Sequence, residues 1–421
     1  MLSFSLILSL TLSSTPVDVA GRPMLPGEML PAPAAEVIEL EPVPPSVSGV
    51  WRLLQYALTP TPGPAEALAI ADLTDEGRAE LALSLGAGST SGALLQVFAG
   101  DGLGGLGLIQ KHELPGGYGR QAMAIGQFNL YPGLDVAVGT STGLVLYPGG
   151  GGVRPLAPGQ RFGVAAVEIA AAINFKDRAA DALATTTWSS QGSVYQPSPK
   201  GLFATPWPVS VAGYNRIGSG DLDADGLIDV VTASGQGLGP SLRVHRNTGH
   251  GSLTELQALH AVCPAGTFAS VGGVGLGDVD GDGHADVVAA AGGNRPRSCL
   301  QIFKGNGKGQ FQPATFVPSY DLPGPLAVAD LNGDGLSDVV TLHNGWSRLG
   351  VYLQQPNGQL GAEQLFPIPY QSWYPAQGLA VADLVGDACL DVAIASSQGL
   401  VVLQGRDCAL PRQSSKTSSL H

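Results

Sequence analysis

Three stretches of the chain place oxygen-bearing side chains at alternate positions of a tight loop. They are Asp221-Leu222-Asp223-Ala224-Asp225-Gly226-Leu227-Ile228-Asp229, Asp278-Val279-Asp280-Gly281-Asp282-Gly283-His284-Ala285-Asp286 and Asp330-Leu331-Asn332-Gly333-Asp334-Gly335-Leu336-Ser337-Asp338. The first, third and fifth positions project to one side, and the glycine at the sixth permits a backbone reversal. The carbonyls of Leu227, His284 and Leu336 then turn inward before Asp229, Asp286 and Asp338 close the set. Such a shell suits Ca²⁺, which takes six to eight oxygens at about 2.3–2.6 Å in irregular geometry. Mg²⁺ asks for a stricter octahedron, and soft metals ask for Cys or His donors, of which only His284 is at hand. An Asp/Asn/Gly turn held by its own side-chain bonds is the competing explanation for any one copy. Three copies in phase favour the cation.

Two further loops keep part of the pattern. One carries Asp72, Thr74, Glu76 and Glu80; the other carries Asp383, Asp387 and Asp391, with Val385 in the third place and Ala388 in the glycine place. The stretches Gln127–Asp135 and Ala172–Asp181 are eroded and read as metal-free hairpins. Three Ca²⁺ sites are therefore expected, and up to five.

The elements that must hold these loops repeat with them. Successive loop starts lie about 45 to 57 residues apart, the period of a four-stranded propeller blade. An alternating apolar strand enters each loop (Leu379–Ala382), a second leaves it (Leu390–Ile394) and a third follows (Gly399–Leu403). In most units a Gly/Asn turn such as Asn306-Gly307-Lys308-Gly309 leads to a fourth. Seven units predict an all-β fold, a seven-bladed β-propeller over residues 49–410. The seventh unit lacks its own fourth strand, and the spare segment Val50–Leu58 is expected to complete it, removing a sheet edge. Val164–Ile173 is Ala-rich and helix-compatible, but its register in the repeat assigns it to a first strand.

At these loops the chain resembles the FG-GAP/VCBS repeat family, whose best-known members are the propeller heads of integrin α chains. The resemblance covers about residues 50–408. That family's aromatic-Gly element before the first strand is matched by Tyr118-Gly119 and Phe162-Gly163, with related aromatics at Tyr214, Phe268, Tyr320 and Tyr374. The resemblance implies calcium in loops on one face and partner recognition on another surface. The chain departs from it in two eroded loops and in a first repeat without the aromatic.

Composition agrees with short strands and many turns: of 421 residues, 60 are Gly and 32 Pro, and only 13% are charged. A net charge of −13 argues against nucleic acid as a partner. Three bound Ca²⁺ would nearly halve it. No apolar run is long enough to span a membrane. Residues 1–20 read as a signal peptide, although no Lys or Arg precedes the apolar region; residues 21–48 read as a Pro-rich linker and 411–421 as a disordered tail. Cys263, Cys299, Cys389 and Cys408 form no C-x-x-C and suit disulfides better than zinc. Of the three possible pairings, Cys263 with Cys299 and Cys389 with Cys408 is preferred; four free buried thiols is the alternative. A secreted location, extracellular or periplasmic, and a monomer are expected.

Catalytic motifs are weak. Gly139-Thr140-Ser141-Thr142-Gly143 matches a nucleophile elbow in letters but falls between two strands rather than before a helix. Gly102–Gly107 matches a dinucleotide fingerprint without any βαβ context. The seven histidines form no metal-spaced pair. The aromatics ahead of the first strands are expected to wedge between blades, whereas the tract Tyr370-Gln371-Ser372-Trp373-Tyr374, along with Trp346, is the best candidate for exposed ring surface, with burial between blades as the alternative. The expected function is a binding and adhesion module for a cell-surface protein or carbohydrate. A structural component of the cell envelope, or a polysaccharide-active enzyme, is the alternative.

Overall fold

Apolar runs that fill a second or third strand from end to end, such as Asp286–Ala291 and Cys299–Phe303, are buried throughout. Continuous burial of a strand requires cover on both of its faces. The computed structural model supplies that cover by stacking sheets side by side. It describes residues 51–409 except 89–91, 102–104, 116–120, 151–154, 163–168, 175–179, 187–191, 199–200, 208–214, 235–240, 251 and 264–269. The leader and linker read in residues 1–48, the tail 411–421, and Tyr118, Gly119, Gly163, Tyr214 and Phe268 lie outside the described residues.

Seven antiparallel sheets of four strands follow one another along the chain. The first six blades begin with the strands Ala65–Ala71, Ala122–Gly126, Ile169–Ile173, Asn215–Gly220, Val271–Gly277 and Pro323–Ala329. The Ala-rich segment is thus a strand over Ile169–Ile173, as its register required. The seventh blade is built from Leu379–Ala382, Asp391–Ser396 and Gly399–Leu403. Its fourth strand comes from the start of the chain, with Ala57 opposite Val402 and Pro60 opposite Gly399.

That closing strand is displaced from the expected Val50–Leu58. The segment breaks in two: Arg52–Leu53 pairs with Gly405–Arg406, and Ala57–Pro60 completes the blade. Side-chain parity explains the break. Trp51 and Leu53 pack into the same apolar cluster as Tyr56 and Leu58. In one continuous strand these two pairs would face opposite ways.

The core is a circuit of seven apolar clusters, each shared by two neighbouring blades. Leu81 and Leu83 of the first blade meet Ala393 and Leu400 of the seventh, which closes the ring. Val244 packs with Val287 and Phe303, and Val288 and Leu300 pack with Val339 and Tyr352. Disulfides join Cys263 to Cys299 and Cys389 to Cys408, with Cα atoms 5.9 and 5.6 Å apart. The segment Gly139–Gly143 is a plain hairpin, Thr140 paired with Gly143.

In an antiparallel meander the first–second and third–fourth turns share one face. The second–third turns and the crossings to the next blade share the other. The acidic loops therefore occupy one face of the ring, and the segments that carry Tyr320, Trp346, Tyr370 and Trp373 occupy the opposite one.

Candidate metal centres and the opposite aromatic rim

Each acidic loop is folded around its own carboxylates. The first one gathers backbone N–H groups: Asp278 accepts from Gly281 (2.6 Å), Asp282 (3.2 Å) and Gly283 (2.8 Å), and Asp330 from Gly333, Asp334 and Gly335 at 2.8–3.1 Å. Asp221, Asp72 and Asp383 do the same with their own loops. The wrap needs left-handed backbone at the fourth and sixth positions, which is why glycine recurs there. Gly281 and Gly283 have φ of 78° and 85°, Gly333 and Gly335 of 75° and 88°; Ala224, Asp75 and Ala388 adopt the same region without glycine's freedom. The fifth carboxylate then accepts the N–H of the seventh residue: Asp225 from Leu227, Asp282 from His284, Asp334 from Leu336 and Asp387 from Cys389.

The ninth-position acid does something the sequence pattern did not disclose. It is the first residue of the second strand, fully or almost fully buried, and clamps two parts of the blade. Asp286 accepts N–H from Val279 (3.1 Å) and from Gly305 (2.8 Å); Asp229 serves Leu222 and Asn247, Asp338 serves Leu331 and Gln354, and Asp391 serves Leu384 and Gly405. In the first blade Glu80 bonds Leu73 and Thr74, including the Thr74 hydroxyl. Asp135 makes the same clamp on Phe128 and Gly149 in a loop that has lost its other acids. Burial, followed by the neighbouring loop carboxylates, pushes Asp229 and Asp286 up to about 6 and Asp338 to about 7, against the opposing pull of the amide bonds. Asp391 is likewise raised to about 6, chiefly by burial.

Carboxylate oxygens of Asp221, Asp223 and Asp225 lie within 4.8 Å of one another, as do those of Asp278, Asp280 and Asp286. Asp223 Oδ1 is buried without a hydrogen-bond partner. A hard cation fits such an orphaned oxygen among carboxylates. Among the described residues these are the two such groups of acids. The third intact loop is arranged differently: Asn332 Nδ2 donates to Asp334 Oδ2 at 3.0 Å, so part of its donor set is satisfied internally. His284 directs its ring against Gly307.

Basic side chains reach three of the loops. Arg246 lies 2.6 Å from Asp223 and 3.2 Å from Asp225, Lys304 lies 2.6 Å from Asp280, and Arg406 pairs with Asp387. Arg246 and Lys304 each directly precede the residue whose N–H the ninth acid accepts, and at that point in the sixth blade stands Leu353, opposite Asn332 rather than an aspartate. The complementarity is visible only once the strands are aligned.

On the opposite face Tyr370 is 61%, Trp373 46% and Trp346 42% exposed. Tyr374, beside them, is buried, its hydroxyl donating to the Pro369 carbonyl and its N–H to Asn344 Oδ1. Tyr374 thus wedges inward and drops out of the tract expected to be exposed, because its hydroxyl and N–H are both satisfied inside, and the other three form a rim.

Comparison with known proteins agrees with this architecture. The FG-GAP-like repeat model matches residues 221–289, 278–341 and 330–394, so the chain carries FG-GAP-like repeats three times over. No curated protein matches. Among solved structures, BBS1N in complex with ARL6DN is similar at 12% identity with a TM-score of 0.52, over 87% of this chain and 99% of that one. An Agrocybe aegerita lectin structure, on recognition of non-reducing terminal N-acetylglucosamine, matches at 17% identity and a TM-score of 0.49 (78% and 88% covered). Saccharomyces cerevisiae Sqt1 matches at 11% and 0.49 (85% and 99% covered). At such identities the likeness to BBS1N is one of fold.

Proposed function

We propose that the chain is a secreted, calcium-binding β-propeller acting as a binding and adhesion module for a cell-surface protein or carbohydrate, and not an enzyme. The observation that carries this reading is the rim of exposed Trp346, Tyr370 and Trp373 on rigid blades, on the face opposite the acidic loops. Aromatic rings on loops held by a stiff scaffold suit recognition, because little freedom is lost when they are covered.

Calcium would be held by Asp221, Asp223, Asp225 and Asp229, by Asp278, Asp280, Asp282 and Asp286, and by Asp330, Asn332, Asp334 and Asp338, with the carbonyls of Leu227, His284 and Leu336. The Asp72 and Asp383 loops would be weaker sites. The cation supplies charge neutralisation and cross-linking of each loop. It stabilises the folded chain by mass action, since the unfolded chain lacks the assembled donors. Two disulfides favour an oxidising compartment. Among the described residues no helix is long and apolar enough to cross a membrane.

Calorimetric titration of Ca²⁺ into chelator-treated protein tests the metal, with saturable binding and a raised melting temperature expected. Glycan arrays and cell-surface capture test the partner; retention that vanishes in chelator supports the reading, and no retention in either assay refutes it.

A further inference from the structure

We propose that a groove between the fifth and sixth blades, built on Arg295, Tyr320 and Glu363, binds a neutral pyranose sugar. The inference rests on the binding-module reading above and names the ligand class and the pocket.

Three residues far apart in sequence, Arg295, Tyr320 and Glu363, converge there. Arg295 lies 4.2 Å over the ring centre of Tyr320, and Asp321 holds its guanidinium by Nε (3.1 Å) and Nη2 (3.4 Å). Tyr320 meets Trp346 edge-on at 5.8 Å, which joins the groove to the exposed rim. Glu363 Oε2 accepts the Tyr320 N–H at 2.7 Å, and its Oε1 lies 2.8 Å from Nε2 of the buried His343. Gly350 makes that last contact possible, because a Cβ there would strike Glu363 Oε1 and stand 2.7 Å from His343 Nε2. The arrangement fixes a donor group, an acceptor group and an aromatic ring before any ligand arrives.

The groove has a volume of about 410 Å³ and is also lined by Val317, Pro318 and Ser319. That is within the range of small-molecule sites, roughly 300–1,000 Å³. Ser319 is 4% exposed, with its side chain turned to the Tyr352 hydroxyl, so it closes the floor of the groove.

Charge selects the ligand. Asp321 offsets Arg295, and Glu363 adds a second carboxylate, so a phosphate, sulfate or acidic sugar meets no net attraction. Guanidinium N–H groups not taken by Asp321 remain as donors, and Glu363, bonded to Tyr320, His343 and Tyr352, fills three of about four acceptor positions. Donors and acceptors beside Val317, Pro318 and an aromatic edge match a ligand with hydroxyls around its rim and C–H groups on its faces. A neutral pyranose has that surface.

The test is a titration of the whole chain, in calcium, with the methyl glycosides of glucose, galactose, mannose and N-acetylglucosamine, with N-acetylneuraminic acid as the charged comparison. Tryptophan fluorescence and saturation-transfer NMR are the readouts. Saturable binding of at least one neutral glycoside is expected, weakened about tenfold or more in Arg295→Ala and in Glu363→Gln, the loss of one charge-assisted hydrogen bond. Arg295→Ala leaves the nearly buried Asp321 without its guanidinium, so affinity is compared below the melting temperature recorded for each variant; Tyr131→Ala, 73% exposed and outside the groove, should bind as the parent does. No neutral glycoside bound, binding only of the acidic sugar, or unchanged affinity in both groove variants would overturn the proposal. If the chain still captures a cell-surface protein or a glycan under those outcomes, the binding-module reading stands and the pocket alone falls. If it captures nothing, both fall.

Discussion

The loops of the second and fifth blades are built on one plan and differ in the residues that a cation would touch. In the fifth, Asp278, Asp280 and Asp282 stand at alternate positions; in the second, those places are taken by Gln127, Asn129 and Tyr131. Yet both loops end on a buried aspartate that accepts the second residue's N–H with one oxygen and an N–H two residues past the third strand with the other, through Asp286 and Asp135. In the second loop Asn129 Nδ2 adds a bond to Asp135 Oδ1 at 2.6 Å. The comparison separates two jobs that a string of aspartates runs together. The terminal acid holds the blade in both loops, whether or not the alternating acids before it are present.

The sharpest way to break that separation is to remove the clamp. Asp135→Ala strands two buried N–H groups and should cost about 3 kcal/mol, given about 1–3 kcal/mol for each unsatisfied group. Urea unfolding should show the same loss in calcium and in chelator. Asp286→Ala should lose a similar amount in chelator and more in calcium; an Asp135 variant sensitive to calcium would contradict the division.

Asp278→Ala with Asp282→Ala probes the other job. It should lower stability in calcium by the binding contribution, about 2.7 kcal/mol at a hundredfold excess over Kd, and by less in chelator, where only the solvent-exposed loop N–H bonds to these two acids are lost. Equal effects in both conditions would return these acids to the fold.

The pH response should also divide by condition. Asp229 and Asp286 at about 6, and Asp338 at about 7, are raised above their unfolded values, so the folded state favours their protonated forms. In chelator their contribution is intact below about pH 4 and is lost as pH rises through 6 to 7. In calcium the deprotonated acids are held by the cation, and stability should rise over the same window. Melting curves from pH 4 to 8 in both buffers decide it.

The smallest effect is expected at Lys304, whose ammonium competes for Asp280. Lys304→Met should cost less than about 1 kcal/mol in chelator and tighten calcium binding by calorimetry. Weaker calcium binding in the variant would show that the lysine supports the site.

Much of this was legible along the chain because a propeller repeats its chemistry in phase. Loop period, blade number and the origin of the closing strand follow from spacing and residue type, and the disulfide pairs are the ones preferred there; exposure of Tyr370, Trp373 and Trp346 was one of two readings their residue types allowed. The clamp was hidden because an aspartate with a structural task looks like one with a ligand's task. The signal that separates them is the retention of Asp135 where the acids around it have eroded. Arg246, Lys304 and the Arg295–Tyr320–Glu363 groove were illegible for another reason. Their members come from different strands or blades, and only the register of the sheets and the packing between them brings them together.

The closing strand has a mechanical consequence. Ala57 lies opposite Val402 and Pro60 opposite Gly399, so the chain before residue 57 and the chain after residue 403 leave the seventh blade at the same end. Tension between those two segments would peel the seam one rung at a time, a weaker loading geometry than sliding all rungs at once. The first rungs to bear it are Arg52–Leu53 on Gly405–Arg406, backed by the Arg52–Asp407 ion pair. The Cys389–Cys408 bridge then diverts load arriving from the C-terminal side into the acidic loop at the head of the blade's second strand, which shields the seam behind it.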